Sequence, residues 1–403
     1  MPRPDDALLE AAAAAAAAAG GHIRRLGAVD VANVTPGAIA RVAIASGPEL
    51  VQLSVANSND GAQWTFAQLH AVCSACPRMT ECEVDARVDC AAYAAALLSN
   101  AAPFGALRVR ALHVSPAAEH EPWTATTLGS LTASAGLARV ASLHFFAVRV
   151  LHELEVITSV CTAAAATRIP RLSFVLCRLG ADAWAPLASL LEGGALTSLT
   201  ITGDTVLLAT PQQTLPFCTA LHRCGTLTQL LLDTTMPLDG DAPGAGAADI
   251  IHAAAGHATL RELRVSGCQS LSRAGDALGA ALRALVATPG GALDNLDVSH
   301  CRLGDRELGP MLDALASGAA CPLENLNISG SALSTALEEG ALLAAAASAA
   351  RLRRLRVGDQ TTTGSATARR ASQIVAARVA DARRAGASKK RDTLITSFPA
   401  WSD

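Results

Sequence analysis

The chain has 403 residues, with 32 Lys and Arg against 35 Asp and Glu for a formal net charge of -3, and 51% of its residues are hydrophobic while 3% are aromatic. Near-neutral charge excludes a nucleic-acid binder that works by neutralising phosphates, and no run reaches the ~18 to 20 strongly apolar residues of a membrane span. Eleven cysteines, an odd number scattered along a chain able to bury a large core, point to a reducing compartment in which Cys serves as a small apolar residue.

In chain order, Met1 to Gly21 comes first. Asp5 and Asp6 stand where the caps of an alanine-rich helix would, and Gly20 and Gly21 close it. The segment carries acids where a targeting leader would carry bases. Residues 1–21 are therefore expected to form a capping helix or an extension at the head of the chain.

From residue 22 onward one pattern recurs, clearest in Leu293-Asp-Asn-Leu296-Asp-Val298-Ser-His-Cys301-Arg-Leu303. Leu296 and Val298 alternate with Asn295, Asp297 and Ser299, the period of a strand with one buried face. Leu308, Met311, Leu312 and Leu315 then fall at i, i+3, i+4 and i+7, which is one face of a helix. Copies are read as starting at Leu26, Leu50, Met79, Val109, Val140, Ile169, Leu196, Leu227, Leu260, Leu293, Leu323 and Leu352. Each has apolar residues three and five positions after its start, as in Val29 and Val31, Leu112 and Val114, or Leu263 and Val265. Cysteine stands at position +8 as Cys177, Cys268 and Cys301, where a small group fits the turn behind the strand. Neither strand nor helix can bury its apolar face alone, so the unit is stable only when stacked on neighbours.

This spacing, with a helix in each unit, resembles the ribonuclease-inhibitor class of leucine-rich repeat over residues 22–360. The resemblance implies an α/β fold: a right-handed leucine-rich-repeat solenoid, or horseshoe, of about twelve repeats with a parallel sheet inside and helices outside. It also implies a surface that binds proteins. After the array, Ala366 to Arg384 reads as a helix with Ile374, Val375 and Val379 on its apolar side, so residues 361–387 are expected to cap the open end. Within it Arg369-Arg370-Ala371-Ser372 has the outline of a basophilic-kinase site. Residues 388–403 form a basic and apolar tail, Lys389-Lys390-Arg391 preceding Leu394, Ile395, Phe398 and Trp401, which reads as a lid on the last repeat or a docking motif.

Strand positions +2, +4 and +6 should face the hollow. They supply acids in the early repeats (Asp30, Glu81, Glu83, Asp85), a histidine on each of two adjoining repeats (His113, His144), and hydroxyl and amide groups later. Phe146, Val175 and Leu231 are apolar at such positions and are the expected centre of a protein contact, with Arg264, Asp297, Arg354 and Arg356 as its polar rim. A second candidate surface is the edge where strand passes to helix. Trp64, Trp123 and Trp184, with Tyr93, fall 14 or 15 residues after their repeat starts and would align there.

No catalytic, cofactor-binding or metal-ligating residue is assigned. There is no GxSxG, HExxH or phosphate loop. Cys73-Ser-Ala-Cys76 with Cys82 and Cys90 has the outline of a zinc set, but Cys82 falls at a core strand position and the first pair on the preceding helix. Asp233, Asp239 and Asp241 outline a calcium loop without its terminal bidentate Glu. The reading is a non-enzymatic, cytoplasmic protein–protein interaction scaffold without cofactor, whose partner is a protein and not a nucleic acid, membrane or small-molecule substrate. Its setting would be a larger assembly such as a cilium or flagellum. The alternative is a GTPase-activating protein, because the array resembles that of the Ran GTPase-activating protein, whose long acidic tail is missing here.

Overall fold

The computed structural model describes residues 6–18, 20, 23–29, 34–56, 63–64, 66–79, 81–85, 87–88, 106–110, 124–133, 137–138, 140–146, 148–203, 210–233, 245–288, 290–318, 321–357 and 366–384. The strands are β1 (Arg25–Val29), β2 (Gln52–Ala56), β3 (Gln63–Trp64), β4 (Glu81–Asp85), β5 (Arg87–Val88), β6 (Ala106–Arg110), β7 (Ser142–Phe146), β8 (Arg171–Val175), β9 (Ser198–Thr202), β10 (Gln229–Asp233), β11 (Glu262–Ser266), β12 (Asn295–Asp297), β13 (Asn325–Asn327) and β14 (Arg354–Arg356). Twelve of them form a single sheet in strict sequence order, every neighbour parallel, while β3 and β5 pair separately. Sequential parallel pairing requires a crossover each time. Helices supply ten of the eleven: α2 (Pro36–Ser46), α3 (Phe66–Ala75), α4 (Ala125–Thr132), α5 (Leu154–Ala166), α6 (Trp184–Glu192), α7 (Pro211–Arg223), α8 (Ala245–Ala253), α9 (Gly275–Ala287), α10 (Asp305–Ala316) and α11 (Leu343–Ser348), while most of the connection from β4 to β6 lies outside the described residues; α1 (Asp6–Ala18) precedes the first strand and α12 (Ala366–Arg384) follows the last. Neighbouring helices pack side by side, so the array is a parallel α/β solenoid.

The core is a set of ladders. Leu143, Leu172, Leu199, Leu230, Leu263, Leu296, Leu326 and Leu355 pair in register across β7 to β14 and are all buried. Two residues on, Phe145 and Phe174 stack with centroids 5.5 Å apart and planes 9° from parallel. The +8 cysteines close the far side: the Cys177 thiol donates to Phe145 O at 3.5 Å and the Cys301 thiol to Val265 O at 3.1 Å, each a strand carbonyl of the preceding unit.

β8, β9, β11, β12 and β13 end in the same way. At position +7 the backbone turns left-handed in Leu176, Gly203, Gly267, His300 and Gly330. That turn aims the +7 amide at the +6 carbonyl of the next unit, as in Leu176 N to Thr202 O, Gly203 N to Asp233 O, and His300 N to Ser329 O, all at 2.7 Å. Glycine serves at three of these positions because the left-handed region costs it nothing. At Gly330 space also demands it, since a Cβ there would meet the backbone of His300 at 3.1 Å.

Two repeats depart from the sequence reading. Leu26 pairs with Leu53 and Ala28 with Val55, so Leu26 is a +3 residue and not a repeat start. In β6 the residues in register with Leu143 and Phe145 are Leu107 and Val109, not Leu112 and Val114. The stretch Ala106 to Val114 contains two overlapping period-2 runs, and a shift by an odd number of residues exchanges the faces of a strand. Pairing with β7 selects the first run.

At the N-terminal end Asp6 holds α1 to the next helix, its carboxylate accepting from Thr35 N at 2.7 Å and the Thr35 hydroxyl at 2.8 Å. Thr35 caps α2 by accepting from Ala38 N, with Pro36 at the first helical position. At the other end α12 buries Ala371 and Val375 against the last unit, and the Ser372 hydroxyl donates to Leu355 O at 2.9 Å.

Candidate functional site

The face of the sheet opposite the ladders is formed by the +2, +4 and +6 residues. Across one row of the register run Ser173, Thr200, Leu231, Arg264, Asp297, Asn327 and Arg356, and across the next run Phe146, Val175, Thr202, Asp233 and Ser266. Among the expected contact residues, Phe146 and Val175 are therefore direct cross-strand neighbours. Leu231 lies two strands from Val175, with Thr200 and Thr202 of β9 between them, so the apolar centre is two separate spots and not a continuous patch. Arg354 and Arg356 are exposed on the last strand. The early acidic end is narrower than expected, because β6 sets Arg108 and Arg110 beside His144 and Phe146. Asp30 and His113 lie outside the described residues.

A hydrogen-bonded polar cluster lies on β10 to β13. Asp297 accepts from Ser299 N at 3.0 Å and from Asn327 Nδ2 at 3.1 Å, and Arg264 Nε lies 3.4 Å from its carboxylate. Gln229 Nε2 donates to Glu262 at 3.3 Å, and Asn325 donates to Asn295. These asparagines and aspartates thus turn repeat stacking into a side-chain ladder, and they fix the rotamers of the groups a partner would meet.

Two carboxyls in this cluster are out of balance. Burial pushes the Asp233 carboxyl up, against the attraction of Arg264 and a hydrogen bond from Ser266, and burial likewise pushes Glu262 up against Arg264. Desolvation wins in both, the condition that carboxyls on a sheet face reach when folding leaves them short of cationic neighbours. A carboxyl held above its unfolded value binds its proton more tightly in the folded chain, so its contribution to stability is present at low pH and is lost as pH rises through the folded value. Asp233→Asn, which keeps the acceptor for Ser266, is accordingly expected to raise the melting temperature at pH 7 and to lose that advantage at about pH 3, below the ordinary carboxyl value. Thermal melts of the two proteins at both pH values check it; a variant that melts lower at pH 7 contradicts it. Asp233 is legible in the sequence only as part of a calcium outline, and its place at the end of β10 puts it on the sheet face instead.

Of the expected aromatic edge, Trp184 belongs to the core. Trp184 is fully buried at the start of α6, tilted 55° against Phe217 at 4.6 Å, and offers no surface to a partner. Trp64 lies in β3, paired with β5 and not in the helix-start register of Trp184. Trp123 and Tyr93 lie outside the described residues, and the revised register of β6 moves Trp123 out of the common spacing. The reason is physical: an indole at a helix start that faces the neighbouring helix is worth more as packing than as exposed surface.

Cys73 and Cys76 belong to the core, their thiols pushed up to about 12 and about 11 by burial, and Cys76 donates to Ala43 O. No helix among the described residues is long and apolar enough to cross a membrane. The sequence matches no protein-family model and no curated protein. Among solved structures, a chain of "Crystal structure of Rad7 and Elc1 complex in yeast" is similar with a TM-score of 0.48 and 16% identity, over 88% of this chain and 77% of that one. At that level the likeness says nothing about what this chain binds.

Proposed function

We propose that the chain is a leucine-rich-repeat protein of the ribonuclease-inhibitor-like class, a right-handed horseshoe of about twelve repeats that binds a protein on its concave face and carries out no catalysis. The observation that carries this reading is the polar ladder on β10 to β13. It holds half-buried Asp233 and Glu262 short of positive charge, beside Arg264 and the apolar Leu231. A partner that brings a basic group to those carboxyls and an apolar group to Leu231 relieves the desolvation that folding left uncompensated. Residues 1–21 and 361–387 act as caps and 388–403 as a tail, in a cytoplasmic protein that serves as a subunit of a larger assembly.

The test replaces Phe146, Val175 and Leu231 together by serine. Recovery of the partner by affinity capture is expected to fall by at least about tenfold, since the desolvated centre of a contact contributes ~2 kcal/mol or more per anchor, while the far-UV spectrum and melting curve stay close to the parent's. Undiminished recovery sinks the proposal. Loss in Trp64→Ala, with the triple variant unaffected, would move the contact to the crossover edge.

A further inference from the structure

An end strand carries backbone groups that an inner strand would give to its neighbour. Among the described strands β14 pairs with β13 alone. Arg354 N donates to Glu324 O at 3.1 Å and Arg356 O accepts from Ile328 N at 2.9 Å, so both residues turn their backbone toward β13. Successive residues of a strand point their N–H and C=O to opposite sides, and the Leu355 carbonyl between them therefore faces the open edge. The Ser372 hydroxyl donates to it at 2.9 Å, and six residues later Arg378 donates to Leu352 O at 2.6 Å. α12 thus lies antiparallel along that edge and closes it.

The serine that meets this carbonyl ends the run Arg369-Arg370-Ala371-Ser372. Ala371 and Val375 are buried against the last unit, and Ser372 is half-buried with its oxygen on β14. Arg369 and Arg370 are exposed, and no hydrogen bond or ion pair among the described residues holds either. Guanidiniums three and two residues before a serine match the acidic pockets of arginine-directed protein kinases, which take the acceptor segment as extended chain. The docked helix cannot be taken that way. It points the acceptor oxygen at the array and the two guanidiniums at solvent, so docking and phosphorylation compete for one segment.

We propose that Ser372 is a phosphorylation site for an arginine-directed protein kinase, reached when α12 leaves the array and holding it off once modified. In the step the Ser372 Oγ attacks the γ-phosphorus of ATP, the bond from that phosphorus to the β-phosphate oxygen breaks, ADP leaves, and the hydroxyl proton passes to the catalytic aspartate of the kinase. The product has no proton to donate to Leu355 O and sets a phosphate of charge about -1.5 to -2 against that carbonyl. Acceptor then faces acceptor at a half-buried place, which opposes redocking. On the detached helix Arg369, one turn earlier, offers the phosphate a guanidinium instead.

The test incubates the full chain with ATP and the catalytic subunit of the cyclic-AMP-dependent protein kinase, locates phosphate by mass spectrometry, and follows hydrogen exchange before and after. Phosphate is expected on Ser372. Modification follows the open fraction of α12 when opening is fast. Val375→Ser combined with Arg378→Ala removes a buried contact and the cation that binds three carbonyls. The initial rate at Ser372 in this double variant is expected to be at least about tenfold above the parent's. In the phosphorylated parent the amides of 366–384 are expected to exchange at least about tenfold faster than before, while Ser372→Ala, which loses the hydrogen bond and gains no charge, shows a smaller rise. Absence of phosphate on Ser372 in the double variant overturns the proposal, as does an equal rate in the parent and the double variant. Unchanged protection of 366–384 after phosphorylation overturns it as well.

Discussion

Leu263→Ala is expected to destabilise the array by about 2–5 kcal/mol. Leu263 is fully buried and lies between Leu230 and Leu296, which are in direct register with it on the two flanking strands. Parallel pairing on both sides fixes the backbone of β11, so the neighbours cannot close over the missing methyl groups, and the cost includes a cavity as well as lost transfer energy. In a solenoid each unit is supported by those beside it, and a weakened unit in the middle uncouples the two halves. Leu215→Ala supplies the comparison, because Leu215 is 63% exposed on α7 and the same atoms are removed; its effect should stay within about 0.5 kcal/mol. Chemical denaturation of the two variants beside the parent decides the matter. Equal midpoints for Leu263→Ala and the parent would contradict the ladder as the source of stability.

Legibility in the sequence is governed by the same physics. Repeats from β7 to β14 can be read because a large apolar residue occupies both +3 and +5, and the pairing registers of Leu143 through Leu355 agree with that spacing. The register fails where the signal is weak or double. Ala28 is small at a +5 position, and in β6 the run Leu107, Val109 competes with Leu112, Val114. Single-strand periodicity has no means of choosing between them, since the deciding contribution is hydrogen bonding to β7. The sheet-face residues fall where the spacing puts them wherever the register holds, so Val175, Leu231, Arg264 and Asp297 stand where expected. Their electrostatic state is not legible: whether Asp233 and Glu262 have enough cationic neighbours depends on which strands adjoin them. The left-handed +7 turn is hidden for a different reason. Glycine marks it at Gly203, Gly267 and Gly330, but Leu176 and His300 adopt it without any signature in composition.

Arg378→Ala is expected to release α12 from the end of the array. Its guanidinium donates to Ala346 O at 3.0 Å, Ala347 O at 3.2 Å and Leu352 O at 2.6 Å. The first two are carbonyls in the closing turn of α11, which lack intrahelical partners and carry the negative end of the helix dipole. The third precedes β14, the last strand of the sheet among the described residues. One planar cation thus serves three acceptors at the point where stacking stops. Hydrogen bonds to a charged donor contribute ~1.5–3 kcal/mol each when shielded. Water replaces part of that at a half-buried site, so a total of about 2–3 kcal/mol is the expected loss. Because each unit touches only its neighbours, the loss should appear locally. Hydrogen exchange is expected to show the amides of 366–384 and of β14 losing protection while those of β8 to β11 keep theirs. Arg378→Lys, with a point charge that cannot span the three carbonyls, should fall between the parent and the alanine variant. Parent-like protection of 366–384 in Arg378→Ala would show that Ala371 and Val375 hold α12 by packing alone.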